Sequence, residues 1–270
     1  MTATIAESPL RRAGRLVNAL SVDIEDHGQA EANTHRLLDL LAETRAKATI
    51  FTPGRVAERH PLVVRRVVAE GHELASHGFG HQRGDQLTPE AFRADVRRAK
   101  AVLEATAGVV VAGYRAPGFS LGERTPWAWR ILAEEGHRYD SSVHPLGLYG
   151  APEAPRFPYA PDGCRGLVEI PVAVARIAGR HQPCGGGGWF RLLPYALSRH
   201  LLAGINRAEG RPCVFYLHPW EIDPAQTPPA GLGWGARLGH TFNRTRPAPR
   251  LRRLLADFTW DRIDRVFLQA

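Results

Sequence analysis

Cysteine, methionine and lysine are scarce in this chain of 270 residues, which has three Cys, one Met, and lysine only as Lys47 and Lys100. The cysteines, Cys164, Cys184 and Cys213, are odd in number and none belongs to a CxxC pair. This excludes a disulfide-stapled scaffold and a cysteine zinc site, and it predicts a reducing compartment. No stretch approaches about 18 consecutive apolar residues, so no membrane-spanning helix is expected. The start, MTATIAESPLRRAGRLVNALSVDIED, lacks an apolar run of about 7–15 residues behind a basic segment, so a cytoplasmic protein without a secretory signal is expected. No internal repeat is visible. The glycine run at 185–188 lacks the lysine and hydroxyl residue of a phosphate loop. It reads as a flexible turn, or as a wall where backbone comes close to a ligand.

The hydrophobic content of 44% and charged content of 23% exclude a disordered or fibrous chain. One domain is the favoured count, because α/β barrels use about 250 residues as a single unit. The 35 basic residues outnumber the 27 acidic ones, a net charge of +8. No run of about five or six like charges occurs, and no helix-turn-helix, zinc finger or stacking module is legible, so nucleic acid is not expected as a partner. The arginines read as a solvated surface. They are densest between 237 and 265, eight Arg against three Asp, where an anionic glycan or a membrane surface could be met.

Strand and helix signals alternate. Residues 16–24 read as a buried strand ending in Asp23, Glu25 and Asp26. Residues 34–45 have apolar positions at 37, 38, 40 and 41 and read as a helix. Strands are predicted at 48–52, 72–76, 109–114, 166–174 and 213–218, and helices at 57–70, 89–107, 126–135 and 194–209. Thr88 caps the helix at 89–107, and Gly71 stops the helix at 57–70. The alternation argues for parallel β/α units. Residues 145–166, rich in Pro, Gly and aromatics, exceed an ordinary connector and read as a surface excursion near a site.

The groups capable of chemistry fall at predicted strand ends: the three acids after the first, His77 and His81 after the third, Arg115 after the fourth and His218 after the last. Ligands bind at the carboxyl ends of parallel strands. In HGFGH, the spacing of His77 and His81 sets two imidazoles close enough to share a metal ion, with a carboxylate as third ligand. Two histidines satisfied by backbone groups, and acids that cap the next helix, are the plainer readings. Three acids within four residues repel one another unless a cation neutralises them. The combination favours a metal site with one acid poised as a base on the metal's water. His60, His72 and His137 read as structural.

The segments ALSVDIEDH, EGHELASHGFGH, GYRAPGFS, YDSS and FYLHP resemble, in order, the five motifs of the NodB-type polysaccharide deacetylases (carbohydrate esterase family 4-like), over residues 16–222. The run GGGWFRLLP and a short C-terminal segment are most similar to the members that accompany exosortase systems in exopolysaccharide loci. The resemblance implies an α/β fold, a distorted (β/α) barrel of about seven parallel strands. It implies a flexible arm at 1–15, the deacetylase domain at 16–222 and a basic extension at 223–270 packed on the barrel. It also implies hydrolysis of N-acetyl groups on an amino-sugar polysaccharide or its precursor. The divalent metal would be Zn2+ in the first place, with Co2+, Ni2+ or Mn2+ as other fits.

Residue by residue, the resemblance implies Asp23 as catalytic base and His77 and His81 as metal ligands. The metal carboxylate is Asp26 or Glu25, with Asp26 favoured; a register with Glu25 as base and Asp26 as ligand is the alternative. Arg115 would orient the base and His218 would be the general acid. Pro117, Gly118 and Phe119 would wall the substrate site, with the backbone N–H on the Phe119 side facing an oxyanion. Trp220 would add to the substrate contacts. Asp140 matches the fourth motif's carboxylate, but Val143 and His144 stand where an aromatic residue is usual. An allantoinase-like amide hydrolase, or a non-catalytic carbohydrate-binding protein, are the alternative functions.

Overall fold

The protein was described from a computed structural model, which covers residues 9–26, 29–149, 151–225 and 245–268. In chain order the first half comprises strands β1 (Arg11–Arg12) and β2 (Arg15–Asp23), helix α1 (Ala30–Thr44), β3 (Thr49–Thr52), α2 (Gly54–Arg59), α3 (Pro61–Ala69), β4 (Glu73–Ser76), α4 (Pro89–Ala107), β5 (Gly113–Tyr114), α5 (Pro126–Glu134) and β6 (Tyr139–Asp140). The second half comprises β7 (Val168–Glu169), β8 (Val174–Ile177), β9 (Arg180–Pro183), α6 (Gly187–Leu192), α7 (Tyr195–Ala208), β10 (Val214–Leu217), α8 (Pro247–Asp257), β11 (Thr259–Asp261) and α9 (Ile263–Phe267).

β2 is buried from Leu16 to Asp23, as a central strand covered on both faces must be. Parallel pairing runs from β2 through β3, β4, β5 and β6 to β7, and β10 lies on the other side of β2. These seven strands form the curled half-barrel expected of the sequence. The carboxyl ends of β2, β4, β5 and β10 therefore open on one face.

Three local features differ from expectation. The helix predicted at 57–70 is two helices, because Pro61 cannot donate into a preceding turn and starts α3 afresh, leaving His60 at φ −129°. The strand predicted at 166–174 ends early at Glu169, and Val174 opens an antiparallel hairpin with β9 instead. The glycine run is not a free turn. Gly186 has φ +119°, and a Cβ there would lie 1.8 Å from the Tyr216 carbonyl oxygen, so the backbone of the run presses on β10 as no other residue could.

The C-terminal segment is part of the sheet. β11 pairs in parallel with Val17–Ala19 on the edge of β2 that faces β3, since Ala19 also pairs with Val214 of β10 on the opposite edge. The Ile263 N–H donates to Thr49 Oγ1 at 2.8 Å, and the buried Asp261 receives Arg12. Leu251, Leu254 and Trp260 join the main core cluster with Leu20, Val22 and Phe215. No helix among the described residues is long and apolar enough to cross a membrane.

Candidate active site

Asp23 closes β2 and is buried, yet it carries an ionisable carboxyl. Its partner is Arg115, fully buried after β5, whose Nη1 lies 2.7 Å from Asp23 Oδ1. A guanidinium so placed needs its other donors satisfied. Nη1 also donates to Ser21 Oγ at 2.9 Å, Nε to the Ser141 carbonyl at 2.9 Å and Nη2 to Ser141 Oγ at 2.8 Å. The whole fork is thus held by residues at the ends of β2 and β6.

His77 follows β4, and its Nδ1 is 2.7 Å from the Arg115 carbonyl oxygen. A carbonyl only accepts, so Nδ1 carries the proton and Nε2 keeps its lone pair. Burial, against the nearby Asp23 charge, pushes the His77 pKa down to about 4, so the ring is neutral. The His81 ring sits with its centroid 5.0 Å away.

The acids after Asp23 separate. Asp26, favoured above as metal carboxylate, turns to the surface, where both its oxygens accept from Arg59 Nη1 at 3.0 and 2.9 Å. Glu25 turns inward instead, with Oε2 accepting from Trp220 Nε1 at 2.8 Å and Oε1 3.6 Å from His218 Nε2. Side chains alternate along extended backbone, so Glu25 shares a side with Asp23 and Asp26 does not.

His218 stands at the end of β10 with Nδ1 2.7 Å from Glu221 Oε1, and its backbone N–H donates to the same oxygen at 3.2 Å. Glu221 Oε2 lies 3.3 Å from Arg191 Nε on α6, and the Arg191 guanidinium covers the Trp220 ring at 4.9 Å. Trp220 stacks on the imidazole, 5.4 Å between centroids and 20° between planes. Burial would depress the His218 pKa, but the carboxylates of Glu25, Glu221 and Asp23 outweigh it and raise the pKa to about 9. Nε2 is then the charged N–H that faces the site.

Asp140 does not join this group. It is buried beside Glu169, accepts from Trp129 Nε1 at 2.9 Å and from Ser142 Oγ, and burial raises the pKa of both carboxyls. The pair holds the segment above it: Ser142 Oγ accepts from the Ala116 N–H at 2.7 Å, and Glu169 Oε1 from the Val143 N–H at 3.0 Å. Asp140 therefore sits behind the Arg115 cradle. Pro117–Phe119 form a turn in which Pro117 and Phe119 are buried, and the Arg115 guanidinium is 5.4 Å from the Phe119 ring. The Phe119 N–H expected to face an oxyanion donates to the Ala116 carbonyl at 3.1 Å instead.

Sequence reasoning missed Glu221, Arg191, Ser141 and Glu169. For Glu221 a signal existed, an acid three residues after His218; Ser141 lies within YDSS and Arg191 within GGGWFRLLP, but neither segment showed which partner it would meet.

Residues 16–139 match the polysaccharide deacetylase family, and residues 141–268 match a domain of unknown function, DUF3473. The first half of the chain is thus similar to the polysaccharide deacetylases. A chitooligosaccharide deacetylase of Rhizobium leguminosarum bv. trifolii is 34% identical over 117 residues, 43% of this chain and 54% of that protein. The chain thus spans about half the length of that curated relative. Among solved structures, a protein assigned to the polysaccharide deacetylases from Mycobacterium smegmatis superposes with TM-score 0.62 at 23% identity, covering 96% of this chain and 92% of its own. A CE4 family pseudoenzyme from Bacillus anthracis superposes with TM-score 0.53 at 12% identity, over 94% and 66%. These likenesses establish the fold, and the same fold includes a member without activity.

The site suits a divalent cation in part. Two imidazoles, one of them neutral with its outer N–H fixed on a carbonyl, are the donors a metal such as zinc takes. Among the described residues, however, no three His, Cys, Asp or Glu side chains are gathered at metal-holding distances.

Proposed function

We propose that this chain hydrolyses the N-acetyl group of an amino sugar in a polysaccharide or its precursor. The observation that carries the reading is the pairing of two opposed groups at one mouth of the barrel. Asp23 is a carboxylate fixed by Arg115, and His218 is an imidazolium held between Glu25 and Glu221. Environments that separate a base from an acid in this way are the mark of proton-transfer chemistry at neutral pH.

In this reading Asp23 receives the proton of the attacking water and Arg115 prevents the carboxylate from turning away. His218 Nε2 donates to the departing amine, and Glu221 fixes the tautomer that makes this nitrogen the donor. Trp220 and Phe119 flank the sugar, with Pro117 behind them. His77 and His81 would hold a divalent cation, zinc in the first place, which would lower the pKa of water and polarise the acetamide carbonyl. Three buried free cysteines support a reducing, cytoplasmic setting. The resemblance of GGGWFRLLP supports a role in exopolysaccharide synthesis, and the arginines after 237 support contact with an anionic glycan.

The test is acetate release from N-acetylglucosamine oligomers, with and without chelator, by the wild type, Asp23→Asn and His218→Ala. Release by the wild type, abolished by chelator and by either substitution, is expected. Binding of the oligomers without release would move the chain to the carbohydrate-binding reading, and release by both variants would remove the assigned roles.

A further inference from the structure

A cleft of about 630 Å³ opens between α5, the segment after β6 and the excursion at 151–162. Its walls are fixed. Trp129 is anchored by its indole N–H on Asp140, and Tyr159 exchanges backbone hydrogen bonds of 3.0 and 2.8 Å with Glu169 of β7. Val143 lines the inner end, one residue beyond the Ser141–Ser142 pair that holds Arg115 and Ala116. The cleft therefore shares a wall with the Arg115 cradle.

Its rim is acidic in a chain of net charge +8. Glu123, Glu153 and Asp162 line it, all three are exposed, and no Lys or Arg does so. Nearly every other carboxylate is taken up by an arginine, a histidine, a hydroxyl or a backbone N–H, as Asp26, Glu135, Glu209 and Asp95 are. Together with Glu90, these three are the described carboxylates that make no hydrogen bond or ion pair with a described residue. Two aromatic side chains and three carboxylates without a described partner thus line one cleft. Ring faces and carboxylates both attract an ammonium, and an apolar pocket with few polar groups takes a compact ligand.

We propose that this cleft is a second sugar subsite, for a glycan residue that bears a free ammonium. The identity of the ligand rests on the reading above, since removal of an acetyl group from an amino sugar leaves that ammonium on the chain. An N-acetylated residue fits the aromatic side chains equally well but gains nothing from the acidic rim. The cleft thereby favours glycans already deacetylated at a neighbouring position.

The probe is the fully deacetylated β-1,4-glucosamine tetramer, which carries no acetyl group and is not turned over. Its binding to the full chain is measured by calorimetry at pH 6, alongside the N-acetylglucosamine tetramer, for the wild type and for the combined variant E123Q, E153Q and D162N. The three substituted side chains make no hydrogen bond or ion pair with a described residue, and equal melting temperatures confirm an unaltered fold. The expected result is tetramer binding that weakens on the order of tenfold in the variant and with added salt, three surface ion pairs each contributing a modest share. Binding of the acetylated tetramer stays unchanged. No binding by the wild type, equal binding by the variant, or equally tight binding of trilysine would overturn the proposal. Because this probe needs no catalysis, absent acetate release with intact, charge-dependent binding would remove the deacetylase reading and leave the subsite standing.

Discussion

Glu221→Gln keeps the shape of the side chain beside His218 and removes its charge. In the native protein Glu221 Oε1 lies 2.7 Å from His218 Nδ1, and the surrounding carboxylates raise the imidazole pKa to about 9 against the effect of burial. A hydrogen bond to a charged group contributes about 1.5–3 kcal/mol. The amide oxygen can still accept from Nδ1 but carries no charge, and at about 1.4 kcal/mol per pKa unit the loss of that charge lowers the His218 pKa by roughly one to two units. A general acid must be protonated in the free enzyme, so kcat/KM falls as pH rises through this pKa. The alkaline limb of the wild-type profile is therefore expected near pH 9, and that of the variant about one to two units lower. The assay is acetate release across pH, paired with an NMR titration of the His218 ring. The same pKa also bears on stability: the folded state gains from the raised value below about pH 6.5, the unfolded histidine pKa, and loses this gain as pH rises towards 9. An unchanged alkaline limb, or an unshifted imidazole resonance, would show that Glu221 does not act on His218.

Arg115→Met leaves the buried Asp23 carboxylate unpaired and should cost about 3–5 kcal/mol in urea unfolding; a loss below about 1 kcal/mol would contradict the cradle described above. Gly186→Ala forces a methyl group onto the Tyr216 carbonyl at a φ of +119°, and it should destabilise the chain by on the order of 3 kcal/mol. A near-native melting temperature would show that β10 can yield there. Because Asp140 and Glu169 hold their protons more tightly in the folded state, stability should decline as pH rises from about 4, the unfolded carboxylate range, through about 6, the raised Asp140 value, with the Glu169 share continuing to fall above that. Glu169→Gln should flatten that slope, and an identical pH dependence of thermal melting would refute it. His77→Ala should abolish stoichiometric metal uptake by elemental analysis after dialysis against zinc, and retained metal would place the cation elsewhere.

Legibility followed the range of the interactions. Helix α4 was readable end to end, because Thr88 Oγ1 accepts from the Ala91 N–H at 3.2 Å and Gly108 closes it, both contacts within a few residues. The strand ends carrying Asp23, His77, Arg115 and His218 were readable for a similar reason, since each is a polar residue directly after a buried apolar run. Choosing between Glu25 and Asp26 required knowing that the extended backbone continues beyond β2. The Ile24 N–H donates to the Phe51 carbonyl at 2.9 Å, and this contact with a neighbouring strand keeps Glu25 on the side of Asp23. The pairing of Arg191 with Glu221 had no local signal, because the two meet only after α6 has folded over β10. β11, three residues long, carries no period of its own and is defined by its pairing with β2.

By itself, then, the sequence determined the parallel β/α order and the residue types offered at one mouth of the barrel, since each depends on local periodicity and on apolar runs that must be buried; the seven-strand curl was legible only through the family resemblance. Only the tertiary structure decided which of those residues meet. It sent Asp26 to Arg59 and Asp140 to Glu169, set His218 between Glu25 and Glu221, and left three carboxylates unpaired around Trp129 and Tyr159. The physical reason is that a side chain's charge state and partner are set by burial and by neighbours brought from distant parts of the chain, and neither has a signature in local spacing.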